Sequence, residues 1–338
     1  MKKTVLGLSG GVDSAAAGLL LLEMGYDVRG VYLDIGLPGR QDAEKTASQL
    51  EIELKTIDIR DELEEHVCRR FTEEYLRGRT PNPCIMCNPK VKFKALFDAA
   101  DALGCDCVAT GHYARVKDNC LMKSSGDAGN DQSYMLCRLP REYISQLILP
   151  LGELSGKGEV REYAAKHGLS CASKPDSMEI CFIPDNDYPK YIESQVGVLP
   201  EGDFIDENGK ILGRHKGIHR YTVGMRRGLG IAMGERMFVS KIDREHNTVI
   251  LSKGESVFKS SLSAASAVVL SPNPPEIGKI YDIKVRHSVT FAKGLLRSFD
   301  GEKFWIDFPE PVRAPAPGQS AVLYDGDVLV LSGYIEDI

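Results

Sequence analysis

The sequence predicts an α/β protein: an open parallel sheet at the N-terminus followed by two small β-rich domains. Three observations carry this. Apolar strand-like runs alternate with helical periodicity through residue 114, which is the pattern of βαβ units. A glycine turn joins the first apolar run to the first helix. After about Pro184, short β runs alternate with Gly, Asp, Asn and Pro turns up to Ile338.

In order, Val5, Leu6 and Leu8 read as a short buried strand, Ser9–Gly11 as a tight turn, and Ala15–Leu22 as a helix. Residues 27–35 form a second strand, Gln41–Leu50 a helix, and Ile52–Ile59 a third strand. Right-handed crossovers then make the sheet parallel. Glu62–Leu76 and Val91–Leu103 are helical by periodicity, and Asp106–Ala114 reads as a fourth strand. Asp131–Leu139, Gly158–His167 and 188–196 are further helices. Ligands of open parallel sheets sit at the carboxyl ends of strands, where Ser9–Ser14, Leu33 and Gly111–His112 fall.

The 338 residues are 43% hydrophobic and 27% charged, an ordinary globular composition for two or three domains. No apolar run approaches a membrane span and no signal peptide leads the chain, so the expected location is cytoplasmic. A net charge of −6 argues against indiscriminate nucleic-acid binding but allows a local basic patch. In that setting nine cysteines read as thiols, metal ligands or catalytic groups, not a disulfide framework.

Two adjacent glycines, Gly10 and Gly11, let backbone approach a phosphate, and the turn aims N–H groups at one point above a helix N-terminus. Asp13 and Ser14 are placed for Mg²⁺ or phosphate oxygens. The spacing is neither a Walker A loop nor G-x-G-x-x-G. The bland alternative is a turn in which Ser9 and Asp13 only cap the helix. Ser-Gly-Gly-Val-Asp-Ser after an apolar strand resembles the pyrophosphate loop (PP-loop) of the ATP pyrophosphatase superfamily, whose members adenylate a substrate oxygen.

Residues 79–93 carry Pro81, Pro83 and Pro89, which predicts a stiffened loop, and within it Cys84 and Cys87 form C-x-x-C beside Lys90 and Lys92. By itself that pair is a redox couple, half a metal site or two plain thiols. Cys181 lies in Lys-Pro-Asp-Ser-Met-Glu-Ile-Cys-Phe-Ile-Pro (174–184). These motifs occur in order with Gly-His-Tyr-Ala-Arg, Asp-Gln-Ser-Tyr-Met-Leu, Tyr-Thr-Val-Gly-Met-Arg-Arg-Gly-Leu-Gly-Ile and Ala-Pro-Gly-Gln-Ser-Ala-Val-Leu-Tyr-Asp-Gly. Together the whole chain resembles the tRNA-specific 2-thiouridylase (MnmA/TrmU) family.

That resemblance implies a Rossmann-like PP-loop domain of the adenine nucleotide alpha-hydrolase type at 1–187. A central β-rich domain at 188–255 and a C-terminal β-barrel at 256–338 would follow it. It implies ATP contacts at Gly7, Leu8, Ser9, Gly10, Gly11, Val12, Asp13, Ser14, Leu33 and Gly111, with Mg²⁺. Cys87 matches the family's nucleophile, Cys181 its persulfide acceptor, and Asp13 joins them as catalytic. Asn82, Pro83 and Cys84 fall on the segment lining the target base; His112, Asn130, Asp131, Gln132, Arg286, His287 and Gln319 fall on tRNA-contact positions. Two positions depart: residue 84 is often Asp in the family, and its Arg-Tyr-Arg signature reads Arg286-His287-Ser288 here.

The implied reaction converts O2 of the wobble uridine to sulfur. Attack of O2 on the ATP α-phosphate turns a hopeless leaving group into AMP, with pyrophosphate held by the loop and Mg²⁺. The sulfur arrives on a persulfide, from a persulfide-donating sulfurtransferase or cysteine desulfurase. Alternatively it is hydrosulfide on a [4Fe–4S] cluster held by Cys84, Cys87 and Cys181. The tRNA partner presents its anticodon region with the base splayed out. Basic residues cluster at Arg77, Arg79, Lys90, Lys92 and Lys94, and again between Arg214 and Arg227. A different PP-loop enzyme, such as an amidotransferase ligase, would share the loop but not need Cys87 and Cys181.

Overall fold

The computed structural model describes residues 1–175, 180–231 and 236–336. Its N-terminal layer is a five-stranded, all-parallel sheet. In spatial order the strands are β3 (Leu54–Asp58), β2 (Asp27–Asp34), β1 (Lys3–Gly7), β4 (Cys107–Ala109) and Leu147–Ile148. β1 is central and apolar on both faces, as a doubly covered parallel strand must be. Val5 packs with Phe93, Leu96 and Ala100 of the helix Phe93–Leu103. Leu6 faces the opposite layer, where α1 (Val12–Glu23) packs its Ala15–Ala17 and Leu21 against Val160 and Ala164 of Lys157–Lys166. Strand order reverses between β1 and β4, so the loops after both strands meet at one crevice.

Strands at 202–205, 211–215, 237–243 and 248–253 form a separate four-stranded sheet. The C-terminal strands close on themselves: 258–269 pairs with both 304–313 and 328–335, giving a six-stranded antiparallel barrel. The predicted α/β class with β-rich extensions is the observed one.

Three local expectations fail for identifiable reasons. The fourth strand ends at Ala109, not Ala114. The chain beyond it turns into a hairpin, Ala114–Lys117 with Cys120–Lys123, around Asp118 and Asn119, both at positive φ (51° and 58°) as a tight hairpin turn requires. That hairpin reaches out of its own domain and pairs Met122 with Val328 of the barrel. The predicted helix at 131–139 is a single 3₁₀ turn, Ser133–Leu136.

The proline-rich cysteine segment is the third. It is helical: Pro83–Cys87 is an α-turn, Asn88–Lys92 a wider π-type turn, and Phe93–Leu103 continues. Pro83 stands in the first turn, where a missing N–H costs nothing, behind an Asn82 cap. Pro89 opens the widened turn, which accommodates the lost hydrogen bond. Prolines here start a helix instead of forbidding one.

Candidate active site

The loop after β1 is closed by its own hydroxyls. Ser9 Oγ accepts from the Gly11 N–H (3.3 Å) and meets Ser14 Oγ at 3.1 Å; Ser14 Oγ donates to the Gly11 carbonyl at 3.0 Å. Gly11 is the N-cap of α1 and receives no side-chain cap bond, so neither Ser9 nor Asp13 serves as the cap. The first N–H groups of α1 therefore face the crevice without side-chain partners. Gly10, at φ 77°, has backbone of Asp42 and Ala43 at 2.6 Å from where a Cβ would stand, against α2 (Arg40–Gln49). Gly111 has the same relation to the Asp13 backbone, also 2.6 Å. Gly7 ends β1 with Leu8 directly after it, Val12 opens α1, and Leu33 is the penultimate residue of β2.

Asp13 is held twice. Tyr113 donates its hydroxyl to Oδ1 at 2.7 Å, and Lys157 Nζ lies 3.2 Å from Oδ2. Gln132 in turn fixes Tyr113, accepting its N–H on Oε1 at 3.1 Å and donating its own N–H to the Tyr113 carbonyl at 2.8 Å. Sequence reasoning missed Tyr113 and Lys157. The signal for Lys157 was its place in the first turn of a helix, the wrong end for a cation by the helix dipole, unless it serves something else.

The cysteine turn lies beside this crevice. Asn82 Oδ1 accepts from the Cys84 and Ile85 N–H groups at 3.1 and 3.3 Å, and Asn88 Nδ2 donates to the Met135 carbonyl at 2.8 Å. Pro83 is buried, Cys84 exposed and Cys87 half-buried. Cys181 is exposed on its loop; its neighbour Phe182 is locked edge-on to Phe71 at 5.5 Å and packs with Tyr191 at 5.4 Å. The rest of that motif, Asp176–Glu179, lies outside the described residues. Burial pushes both the Cys87 and Cys181 thiols up, Cys181 to about 11 although its surface reaches solvent, and the Lys92 ammonium draws both back down. Each of these two thiols also feels the charge of Cys84.

His112 stands against the same ammonium. Burial, then Lys92, lowers its pKa to about 3, so it is neutral; its Nδ1 meets Thr110 Oγ1 at 2.8 Å and its ring stacks on Phe93 at 5.8 Å. Lys92 thus acts electrostatically on Cys87, Cys181 and His112 together, and His112 directly follows Gly111, which packs against the Asp13 backbone.

Among the described residues no three His, Cys, Asp or Glu side chains converge to hold a metal ion, Cys84, Cys87 and Cys181 included.

Most expected tRNA-contact residues do structural work here. Asp131 is buried, paired to the buried Lys284 at 3.1 Å and accepting from Ser133 Oγ at 2.9 Å. Gln319 Nε2 donates to the Thr80 carbonyl at 2.8 Å, Thr80 N–H donates to Pro317, and Arg79 reaches the Ile335 carbonyl at 3.2 Å. The barrel is thereby hooked onto the chain just before the cysteine turn. Arg286 donates to the Ala314 carbonyl, His287 lies 6.1 Å from the buried Tyr134 ring, and Asn130 bonds Asp127.

The first basic concentration is reorganised. Arg77, Arg79 and Lys94 pair with Glu73, Glu74 and Asp98. Lys90 instead faces Arg70 and Arg138; burial and these two cations lower its pKa. In the second concentration His215 and His219 are buried, and Arg214 and Arg220 pair with Asp203 and Glu193. Lys216, Arg226 and Arg227 are left exposed.

A glycine loop closed by hydroxyls at the switch point of a parallel sheet, with two thiols beside it, defines a PP-loop nucleotide-binding protein carrying β-domains. Three family models match in succession: the tRNA methyl transferase HUP domain over residues 2–185, the tRNA methyl transferase PRC-barrel domain over 189–253, and the Aminomethyltransferase beta-barrel domain over 259–335. The tRNA-specific 2-thiouridylase MnmA of Lachnoclostridium phytofermentans is 41% identical over 99% of both chains. That of Clostridioides difficile is 39% identical over 99% of this chain and 98% of its own. The chain belongs to the tRNA-specific 2-thiouridylase family. A 4-thiouridine synthetase in complex with RNA and ATP aligns with 58% of this chain and 50% of its own, at TM-score 0.38 and 19% identity.

Proposed function

We propose that this chain is an ATP-dependent tRNA-uridine 2-sulfurtransferase acting on the wobble position. The observation that supports it best is the gathering of Cys87, Cys181 and neutral His112 about Lys92, beside the glycine loop. The α1 N–H groups and Gly10–Gly11 bind the pyrophosphate half of ATP, and Lys157 exchanges Asp13 for phosphate oxygens as nucleotide enters. Mg²⁺ would then be held by Asp13 and would supply charge for the departing pyrophosphate. O2 of the splayed uridine attacks the α-phosphate, and AMP becomes the leaving group. Cys181 carries a persulfide taken from a sulfurtransferase or desulfurase. Its outer sulfur reaches C2 directly, or as sulfide released when Cys87 attacks, and Cys87–Cys181 end as a disulfide.

Arg70, Lys90, Lys92 and Arg138 form the basic face for anticodon phosphates, with Lys216, Arg226 and Arg227 as a second contact. Among the described residues no helix is long and apolar enough to cross a membrane, and we place the activity in the cytoplasm with its tRNA.

The test is AMP formation and 2-thiouridine content with transcribed tRNA, ATP and cysteine persulfide. AMP should require tRNA, and Cys87→Ala and Cys181→Ala should each abolish 2-thiouridine while sparing tRNA adenylation. AMP formation that depends on a small amine donor and ignores tRNA would instead indicate an amidotransferase-type ligase.

A further inference from the structure

The reaction leaves Cys87 and Cys181 joined, and a bridged Cys181 cannot accept another persulfide. Cys84, exposed and unused by that chemistry, sits one helical turn before Cys87. We propose that Cys84 is the resolving residue: its thiolate attacks Cys87 Sγ, shifts the disulfide to Cys84–Cys87, and returns Cys181 as a free thiol. This rests on the sulfur-transfer reading above.

The helix makes the new bridge available without rearrangement. Residues three apart in a helix share a face with Cα atoms about 5 Å apart. That lies inside the roughly 4.4–6.8 Å that a disulfide spans. Asn82 fixes this turn by accepting from the Cys84 and Ile85 N–H groups, so both thiols are carried on one rigid element. Cys181 is held near them by Phe182, which packs in the same apolar cluster as Cys87.

The competing thiol is Cys68, which shares that cluster with Cys87 but is buried and held to Tyr191. A bridge to Cys68 would be sealed from any reductant. A Cys84–Cys87 bridge would face solvent through Cys84.

The step balances as thiol–disulfide exchange. The Cys84 thiol gives up its proton, its sulfur bonds Cys87 Sγ, and the Cys87–Cys181 bond breaks with the electron pair leaving on Cys181 sulfur, which takes a proton. No oxidant is needed. A later dithiol reductant returns Cys84 and Cys87 to thiols and is itself oxidised to a disulfide.

The experiment uses the full chain, loaded anaerobically with one equivalent of cysteine persulfide and given tRNA and ATP for one round. The mixture is quenched in acid, alkylated, and its peptides mapped by mass spectrometry while 2-thiouridine is counted. The expected result is an internal bridge in the peptide holding Cys84 and Cys87, with Cys181 alkylated. In Cys84→Ser the trapped bridge should be Cys87–Cys181. Fresh persulfide added before any reductant should load Cys181 in wild type, and that loading should fall at least about tenfold in Cys84→Ser; a dithiothreitol wash should restore it.

If wild-type protein makes 2-thiouridine yet retains Cys87–Cys181, bridges Cys68, or shows every thiol alkylated, Cys84 is not the resolver. If no 2-thiouridine forms at all, the sulfur-transfer reading itself is wrong.

Discussion

The phosphate loop and the cysteine turn lie side by side but are built differently. The loop is self-contained: Ser9, Gly11 and Ser14 bond one another within six residues, and only Gly10 and Gly111 depend on distant backbone. The cysteine turn is held from outside, by Met135 through Asn88 and by the barrel through Thr80 and Gln319, and the Cys181 loop by Phe71 and Tyr191 through Phe182. Nucleotide chemistry should therefore fail through local changes, and sulfur chemistry through distant ones.

The sharpest break is Gly10→Val. A Cβ there strikes the Asp42 and Ala43 backbone and needs a φ that valine avoids, so the loop must shift. AMP formation should fall by at least about 100-fold, since ångström misplacement costs that much. Gel-shift affinity for tRNA, read in parallel, should change little. A variant that retains AMP formation would show that the phosphates bind elsewhere.

Next is Lys284→Met, in the barrel strand Ile280–Lys284. It strands the buried Asp131 carboxylate at the seam between barrel and sheet domain. Removing one partner of such a pair costs about 3–5 kcal/mol, readable as a lower denaturation midpoint in urea. Surviving folded protein should lose thiolation more than ATP binding, because the same seam holds the cysteine turn. Equal losses would erase the distinction between the two regions.

A third measurement uses pH. Burial raises the Cys181 pKa to about 11, so its thiolate is scarce near neutrality and grows as pH rises toward that value. Persulfide acceptance should climb about tenfold per unit between roughly pH 6 and 8. His112, lowered to about 3, should add no inflection there. Lys92→Met removes the cation that opposes burial, so it should slow acceptance at any fixed pH in this range. A flat profile would mean that the thiolate is already formed.

Smallest is Gln319→Ala, which deletes one hydrogen bond to Thr80, worth about 1 kcal/mol. A severalfold drop in thiolation with unchanged ATP-dependent tRNA adenylation is the expected outcome.

Sequence by itself determined the parts whose physics is local. The short apolar run of β1, the Ser-Gly-Gly-Val-Asp-Ser turn and the helix after it are legible because neighbours in the chain make them. The same holds for the β-rich character beyond Pro184. Tertiary structure decided the rest. The exception is the helix start at Pro83, which is local as well, set by the Asn82 cap directly before it. That the 114–123 hairpin reaches out to Val328 of the barrel was decided by a pairing far away in the chain. The fate of the charges was decided by pairing across long separations. Asp131 and Gln319 look like RNA contacts in sequence but are spent on Lys284 and Thr80, because a charge or amide that becomes buried must find a partner inside the protein.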